Sequence, residues 1–301
     1  MKEIKQRDFL DPQLLAKLGR LTVEARRFME GGFAGRHKSP HRGSSVEFSQ
    51  YRKYVQGDDI RNIDWRVFAR TERHFVKEFE ADTNLRTYMV FDCSGSMEFA
   101  GESGSKFKFA QKLIATLAQL LVQQGDSVGL QAFNDEILED LPPRNSPKHL
   151  YAIYETLNDL KPHGKTDLIK TIHDIAGKIR RRALVIIFSD FYSDIDELID
   201  CFSHLHYKKH DVAVFHLIDQ AEMQFEMSRP VRFEDMEGGE SLIADPVSIK
   251  ERYLTEFNRY LKEFHDGCLA HNVEYHLAVP GEGAEGILSS FLLDRIRGAK
   301  K

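Results

Sequence analysis

Five oxygen-bearing side chains stand where an α/β chain tends to place its chemistry. Asp92-Cys93-Ser94-Gly95-Ser96 closes one apolar run, and Asp190 closes another. Thr166 lies in the loop Gly164-Lys165-Thr166-Asp167 that precedes a helical stretch. Carboxylates and hydroxyls without His or Cys form a donor set for a hard cation. Mg²⁺ fits it best, with Mn²⁺ or Ca²⁺ as substitutes. Two carboxylates neutralise the ion, and three hydroxyls leave at least one position for water or an incoming group. Gly95 permits the tight path that lets alternate residues reach one point. The ordinary use of the same residues is helix N-capping by the Ser and Thr, with Asp92 a loop residue.

The elements that must position these residues follow from periodicity. Residues 85–92 and 183–190 are short apolar runs, the mark of strands buried on both faces. Further strands are expected over 127–133, 136–141 (paired beside it), 211–219 and 273–280. Helices are expected over 105–125, 147–160, 166–182, 195–208, 248–272 and 284–298, the first ending at Gly125. Alternation of this kind predicts a doubly wound α/β domain, a mostly parallel sheet with helices on both faces, over 85–301. In such sheets ligands bind outside the carboxyl ends of the strands, where the five residues fall. Residues 222–246 read as an insertion, a hairpin turning at Gly238-Gly239. Residues 1–84 form an N-terminal helical and extended segment: an amphipathic helix over 11–29 behind Asp11-Pro12, then a Gly/Ser/His-rich loop over 31–45.

Composition narrows the class. The 301 residues are 42% hydrophobic and 30% charged, an ordinary globular balance. No run of about 18 apolar residues predicts a membrane-spanning helix, and the N-terminus lacks the apolar core of a secretory signal. Three cysteines with no CxxC pair argue against a disulfide framework and for a reducing, cytoplasmic setting. His204 and His206 lie two apart on a helix, on different faces, so zinc is not expected. The net charge is −5, but 17–77 holds 14 Lys+Arg against 7 Asp+Glu, a local +7 that leaves −12 elsewhere. That segment either pairs with the acidic body or meets an acidic partner surface. No nucleic-acid module accompanies it, so nucleic acid is not expected.

A second constellation precedes the sheet. Residues 54–70 contain Tyr54, Gly57, Asp58, Asp59, Arg61, Asp64, Trp65 and Arg70, with the only tryptophan of the chain among three aspartates and three arginines. Ile60, Ile63, Val67 and Phe68 recur at helical spacing around Trp65, and Asp–Arg pairs can fasten such a segment. It serves as a packing clasp with Trp65 buried, as a partner surface, or as both.

The pattern D-x-S-x-S with a loop threonine and a strand-end aspartate resembles the von Willebrand factor type A domain, a Rossmann-like fold. There these five positions form the metal-ion-dependent adhesion site. The resemblance implies that Ser94, Ser96 and Thr166 ligate directly, that Asp92 and Asp190 act partly through water, and that an acidic side chain of a protein partner completes the coordination. The stretch YVQGDDIRNIDW closely resembles the signature of the bacterial domain of unknown function 58 family, which precedes a von Willebrand A-like domain. The two resemblances together span about residues 40–290. They imply a non-catalytic interaction module working with a MoxR-type AAA+ ATPase or its client in assembling or activating other proteins.

The enzymatic alternative is a Mg²⁺-dependent phosphohydrolase using Asp92. It needs a second acid two residues on as general acid, and that position is Ser94. Residues 92–96, DCSGS, do not form the elbow of a serine hydrolase. Gly101–Lys106 is glycine-rich but matches no phosphate loop, although Lys106 and Lys108 at a helix start could touch an anion.

Overall fold

The computed structural model describes residues 8–19, 21–23, 47–55, 64–71, 73–80, 85–226, 231–233, 236 and 242–298. In chain order the elements are α1 (Pro12–Leu18), β1 (Glu47–Lys53), α2 (Trp65–Thr71), β2 (Phe75–Glu80), β3 (Arg86–Asp92), β4 (Ala100–Gly101), β5 (Gly104–Ser105), α3 (Lys106–Gln124), β6 (Ser127–Phe133), β7 (Ile137–Arg144), α4 (Pro147–Asp159), α5 (Leu168–Lys178), β8 (Leu184–Ser189), α6 (Ile195–Tyr207), β9 (Asp211–Leu217), α7 (Gln220–Gln224), β10 (Val231–Phe233), β11 (Leu242–Ala244), α8 (Pro246–Ala270), β12 (Glu274–Ala278) and α9 (Ala284–Gly298). The chain divides into two compact units, Arg27–Leu85 and the remainder, Met1–Arg26 with Arg86–Lys301.

The larger unit is built on a six-stranded sheet in the order β12-β9-β8-β3-β6-β7. All neighbours run parallel except β6 and β7. This is the α/β architecture that the alternating apolar runs predict. β8 and β9 are buried along their whole length, as a strand covered on both faces must be. One face packs Val90, Val185, Ile187 and Val214 against α5, α6 and α8 through Ile172, Ile175, Leu198, Phe202 and Phe264. The other face carries Phe91 stacked on Phe107 of α3, and Phe215 against Phe291 of α9. β7 is the half-exposed edge strand, with Pro142 and Pro143 limiting its pairing with other chains. The chain leaves β3 for β6 on one side and later returns to β8 on the other. The crevice therefore opens at the carboxyl ends of β3 and β8.

α3 starts at an N-cap whose Ser105 hydroxyl accepts from the Lys108 N–H, and it ends at Gly125 with φ +94°. That left-handed conformation suits glycine at a helix end. The helix expected over 11–29 is shorter. It stops at Leu18 with Gly19 as its cap, and Leu21–Val23 are not helical. Its anchors are tertiary: Asp11 accepts from Lys112 of α3 at 2.9 Å, and Lys17 pairs with Glu285 of α9 at 2.5 Å. The insertion after β9 contains the antiparallel pair β10–β11, while its expected turn at Gly238-Gly239 lies outside the described residues.

The smaller unit holds the antiparallel pair β1–β2, irregular between Phe48 and Gln50, and the seven-residue α2.

Candidate metal centre

The strand ends bring Asp92, Ser94, Ser96, Thr166 and Asp190 to one edge of the sheet. Asp92 is the last residue of β3, and Asp190 follows β8, the strand paired beside it. Both are buried, as is Ser94, while Ser96 and Thr166 are half-buried. The Asp92 carboxylate is held from three directions. Its Oδ1 accepts from the Ser94 N–H at 2.9 Å; its Oδ2 accepts from Ser189 Oγ at 2.6 Å and from Thr166 Oγ1 at 3.4 Å. Ser94 Oγ lies 3.0 Å from Ser96 Oγ. Ser94 makes no side-chain capping bond, and the cap of α5 is Asp167 rather than Thr166.

Backbone contacts bind the loops to one another. Gly95 N–H donates to the Gly164 carbonyl at 2.9 Å, and His163 N–H donates to the Cys93 carbonyl at 2.9 Å. A Cβ at Gly95 would collide with the Met236 carbonyl, so only glycine lets the insertion pass this close. Asn134 holds the threonine loop: its Nδ2 donates to the His163 carbonyl at 3.2 Å and its own carbonyl accepts from Asp167 N–H at 3.0 Å. After Asp190 the chain turns through Phe191, whose φ of +54° is strained for a non-glycine residue. Its N–H donates to Ser189 Oγ at 2.9 Å, and its ring enters the core 5.0 Å from that of Phe264.

The electrostatics are unbalanced. Burial, reinforced by repulsion from Asp190, pushes the Asp92 carboxyl up to about 6, against the hydrogen bonds from Ser189 and Ser94. Asp190 has a cationic partner: Lys106 Nζ lies 2.9 Å from its Oδ2 and 3.1 Å from Glu222 Oε1. Burial of Lys106 opposes its charge, but Asp190 and Glu222 outweigh that penalty and hold its pKa above the usual lysine value. Two carboxylates, Asp190 and Glu222, thus share one ammonium. His216 contributes no second cation, because burial lowers it to about 4. The neutral ring bridges the Asp190 carbonyl and the Tyr275 hydroxyl at 2.9 Å each. Cys93 is no nucleophile, because burial and then Asp92 drive its thiol pKa far upward.

This arrangement can hold a hard cation. Its converging donors are carboxylate and hydroxyl oxygens, and one of its buried carboxylates, Asp92, has no cationic partner among the described residues. Among the described residues no three His, Cys, Asp or Glu side chains gather at a point, so a metal here depends on the hydroxyls. Lys106 is not offered to an outside anion, as its place at a helix start suggested, but is spent on Asp190 and Glu222. Ser189, Asn134, Phe191 and Glu222 carry no local motif and escape sequence reasoning. The one available signal was the position of Ser189 beside Asp190 at a strand end.

The residues before the sheet are placed separately, within the smaller unit. Asp64 caps α2, its Oδ1 accepting from the Arg66 and Val67 N–H groups at 2.9 and 3.3 Å, and its own N–H donates to the Phe75 carbonyl at 2.9 Å. Tyr54 N–H donates to the His74 carbonyl at 3.0 Å. Trp65 is not buried, as a pure clasp would have it, but 55% exposed, with edge contacts to Phe68 and His74. The apolar contact of this short helix is instead the Phe68–His74 stack, 4.5 Å between centroids, which leaves Trp65 on its outer side. Arg70 is exposed, and Gly57, Asp58, Asp59 and Arg61 lie outside the described residues.

Comparison with known proteins adds the family. Residues 50–262 match the model for "Protein of unknown function DUF58". The chain belongs to the DUF58 family. Rv1480 of Mycobacterium tuberculosis and Mb1516 of Mycobacterium bovis, both named as uncharacterized proteins, are 28% identical over 280 residues, covering 92% of this chain and 84% of theirs. Among solved structures, the conserved hypothetical protein BatB from Bacteroides thetaiotaomicron superposes with a TM-score of 0.48 at 15% identity, over 71% of this chain and all of that one. The SpRpn10 VWA domain does so with a TM-score of 0.42 at 12% identity, over 69% and 95%. The DUF58 chain joins its signature segment to an α/β unit built on a mostly parallel six-stranded sheet. No helix among the described residues is long and apolar enough to cross a membrane.

Proposed function

We propose that this DUF58 chain is a non-catalytic, Mg²⁺-dependent protein-interaction module acting in the cytoplasm. The observation that carries the reading is the gathering of Asp92, Ser94, Ser96, Thr166 and Asp190 at one edge of the sheet, with Ser94 Oγ 3.0 Å from Ser96 Oγ, Thr166 Oγ1 3.4 Å from Asp92 Oδ2, and Asp190 after the strand paired beside β3. Ser94, Ser96 and Thr166 would hold the ion directly, with Asp92 and Asp190 balancing its charge. When bound, the ion supplies an open coordination position that accepts a carboxylate of a protein partner. The chain's own part is rigid placement: Ser189 and the Ser94 N–H orient Asp92, and Asn134 holds the threonine loop. The partner that family resemblance points to is a MoxR-type AAA+ ATPase or a client delivered to one. Membership of the DUF58 family supports this choice.

Phosphoryl transfer through Asp92 finds no support in the geometry. Its carboxylate already accepts three hydrogen bonds, and no acid stands two residues on. Calorimetric titration of the EDTA-stripped protein with Mg²⁺ tests the reading. Wild type should bind, and Ser94→Ala/Ser96→Ala should lose at least roughly tenfold in affinity while keeping its far-UV spectrum. Capture of the ATPase in Mg²⁺ but not in EDTA completes the test. Binding of the ATPase that is indifferent to both EDTA and the double substitution would overturn it.

A further inference from the structure

Lys106 is among the largest fully buried side chains of the molecule, and it sits beside the candidate metal centre. Its ammonium contacts Asp190 and Glu222 at 2.9 and 3.1 Å and lies 5.7 and 5.6 Å from the ring centroids of Phe99 and Tyr192. Two carboxylates and two π faces make a closed cage for one positive charge. Glu222 is itself fixed. It stands in the capping box of α7, its Oε2 accepting from the Asp219 N–H at 2.7 Å, while Asp219 Oδ2 accepts from the Gly101 N–H at 3.1 Å. The cage therefore links the start of α3, the end of β8 and the turn after β9.

Asp190 belongs to this cage and to the five-residue oxygen cluster at once. Resting on the metal reading above, we propose that Lys106 is an internal cation that competes with the divalent metal for Asp190, with Glu222 setting the strength of that competition by holding Lys106 from the other side. Two consequences follow from charge alone. The metal enters a site one unit less negative than its carboxylates suggest, so the ion binds weakly by itself. Once bound, it keeps more uncompensated positive charge, which favours an incoming carboxylate. Metal and acidic partner then load together rather than in sequence, and a preloaded metal is not the resting state.

The test is Mg²⁺ titration of the EDTA-stripped 301-residue chain by calorimetry, with the Mg²⁺-induced shift in melting temperature as a second readout. Lys106→Met should bind Mg²⁺ more tightly by roughly tenfold or more, because the cation that shares Asp190 with the metal is removed. Lys106→Arg, which keeps the charge, should stay close to wild type. Glu222→Gln leaves Lys106 wholly to Asp190 and should weaken Mg²⁺ binding. General loosening of the fold would shift both neutralising variants in the same direction, whereas competition shifts them in opposite ones. Unchanged or weaker binding by Lys106→Met overturns the inference and leaves the metal reading standing. Absence of Mg²⁺ binding in both wild type and Lys106→Met overturns the two together. Should Lys106→Met not fold, Glu222→Gln decides: equal or tighter binding than wild type overturns the competition.

Discussion

Two buried charge clusters lie at opposite ends of the six-stranded sheet, and they are built to different ends. At the amino ends, Arg295 of α9 reaches Asp211, which opens β9, and Glu274, which opens β12, with its guanidinium 5.6 Å from the Phe291 ring. At the carboxyl ends, Asp190 and Glu222 share the Lys106 ammonium, with Asp92, Ser94, Ser96 and Thr166 beside them. The first cluster uses a planar, multi-donor cation that satisfies two carboxylates at once and fastens a terminal helix to two strands. The second uses a point charge, leaves Asp92 without a cation among the described residues, and surrounds the deficit with neutral oxygens. A buried deficit of positive charge costs stability. Its placement in the crevice at the strand ends is what the proposed cation would relieve.

The comparison can be broken, most forcefully at Arg295. Arg295→Ala removes the guanidinium that two buried carboxylates share and should cost about 3–5 kcal/mol in urea denaturation. Its Mg²⁺ affinity should not move. A loss below about 1 kcal/mol would show that the amino-end cluster is not a structural clamp.

Asp92 offers a second, smaller effect of opposite sense. Its carboxyl is raised to about 6 in the folded chain, against an ordinary value of 3.8. The native state therefore binds more protons than the unfolded state between those values. The contribution is favourable below the ordinary value and is lost as pH rises through about 6. In EDTA, wild-type stability should decline on the order of 2 kcal/mol between pH 4 and pH 7 on this account. Asp92→Asn should flatten that slope, and Mg²⁺ should restore stability at pH 7 in wild type but not in the variant. A slope identical in the two proteins would sever the charge deficit from Asp92.

Outside both clusters the costs should be ordinary. Asp64→Ala removes the cap of α2 and should cost about 1 kcal/mol within the smaller unit. Trp65→Ala, half in solvent, should change the melting midpoint less than Asp64→Ala does, and a larger change would return Trp65 to a packing role.

The sheet was readable because its strands are local apolar runs and its helices carry their own signals. α9 spans the residues that periodicity predicts, and Gly125 ends α3 as expected. Asp92, Ser94, Ser96, Thr166 and Asp190 were readable because topology puts the ends of neighbouring parallel strands at one edge. α1 was over-extended, since apolar spacing continues past Gly19 although the helix does not. The charge partners were not readable. Glu222 meets Lys106 from 116 residues away, and Asp211 meets Arg295 from 84. No period connects residues at such separations.

The sequence by itself determined the α/β architecture, the family and the gathering of five oxygen-bearing residues at one edge, because each rests on patterns within about one element's length or on strand ends that topology must align. Only the tertiary structure decided where the charges are compensated. It turned Lys106 inward to Asp190 and Glu222, closed Arg295 into the far end of the sheet and left Trp65 half in solvent. Burial and ion pairing are properties of distance in space, and the fold sets that distance only after the local elements have formed.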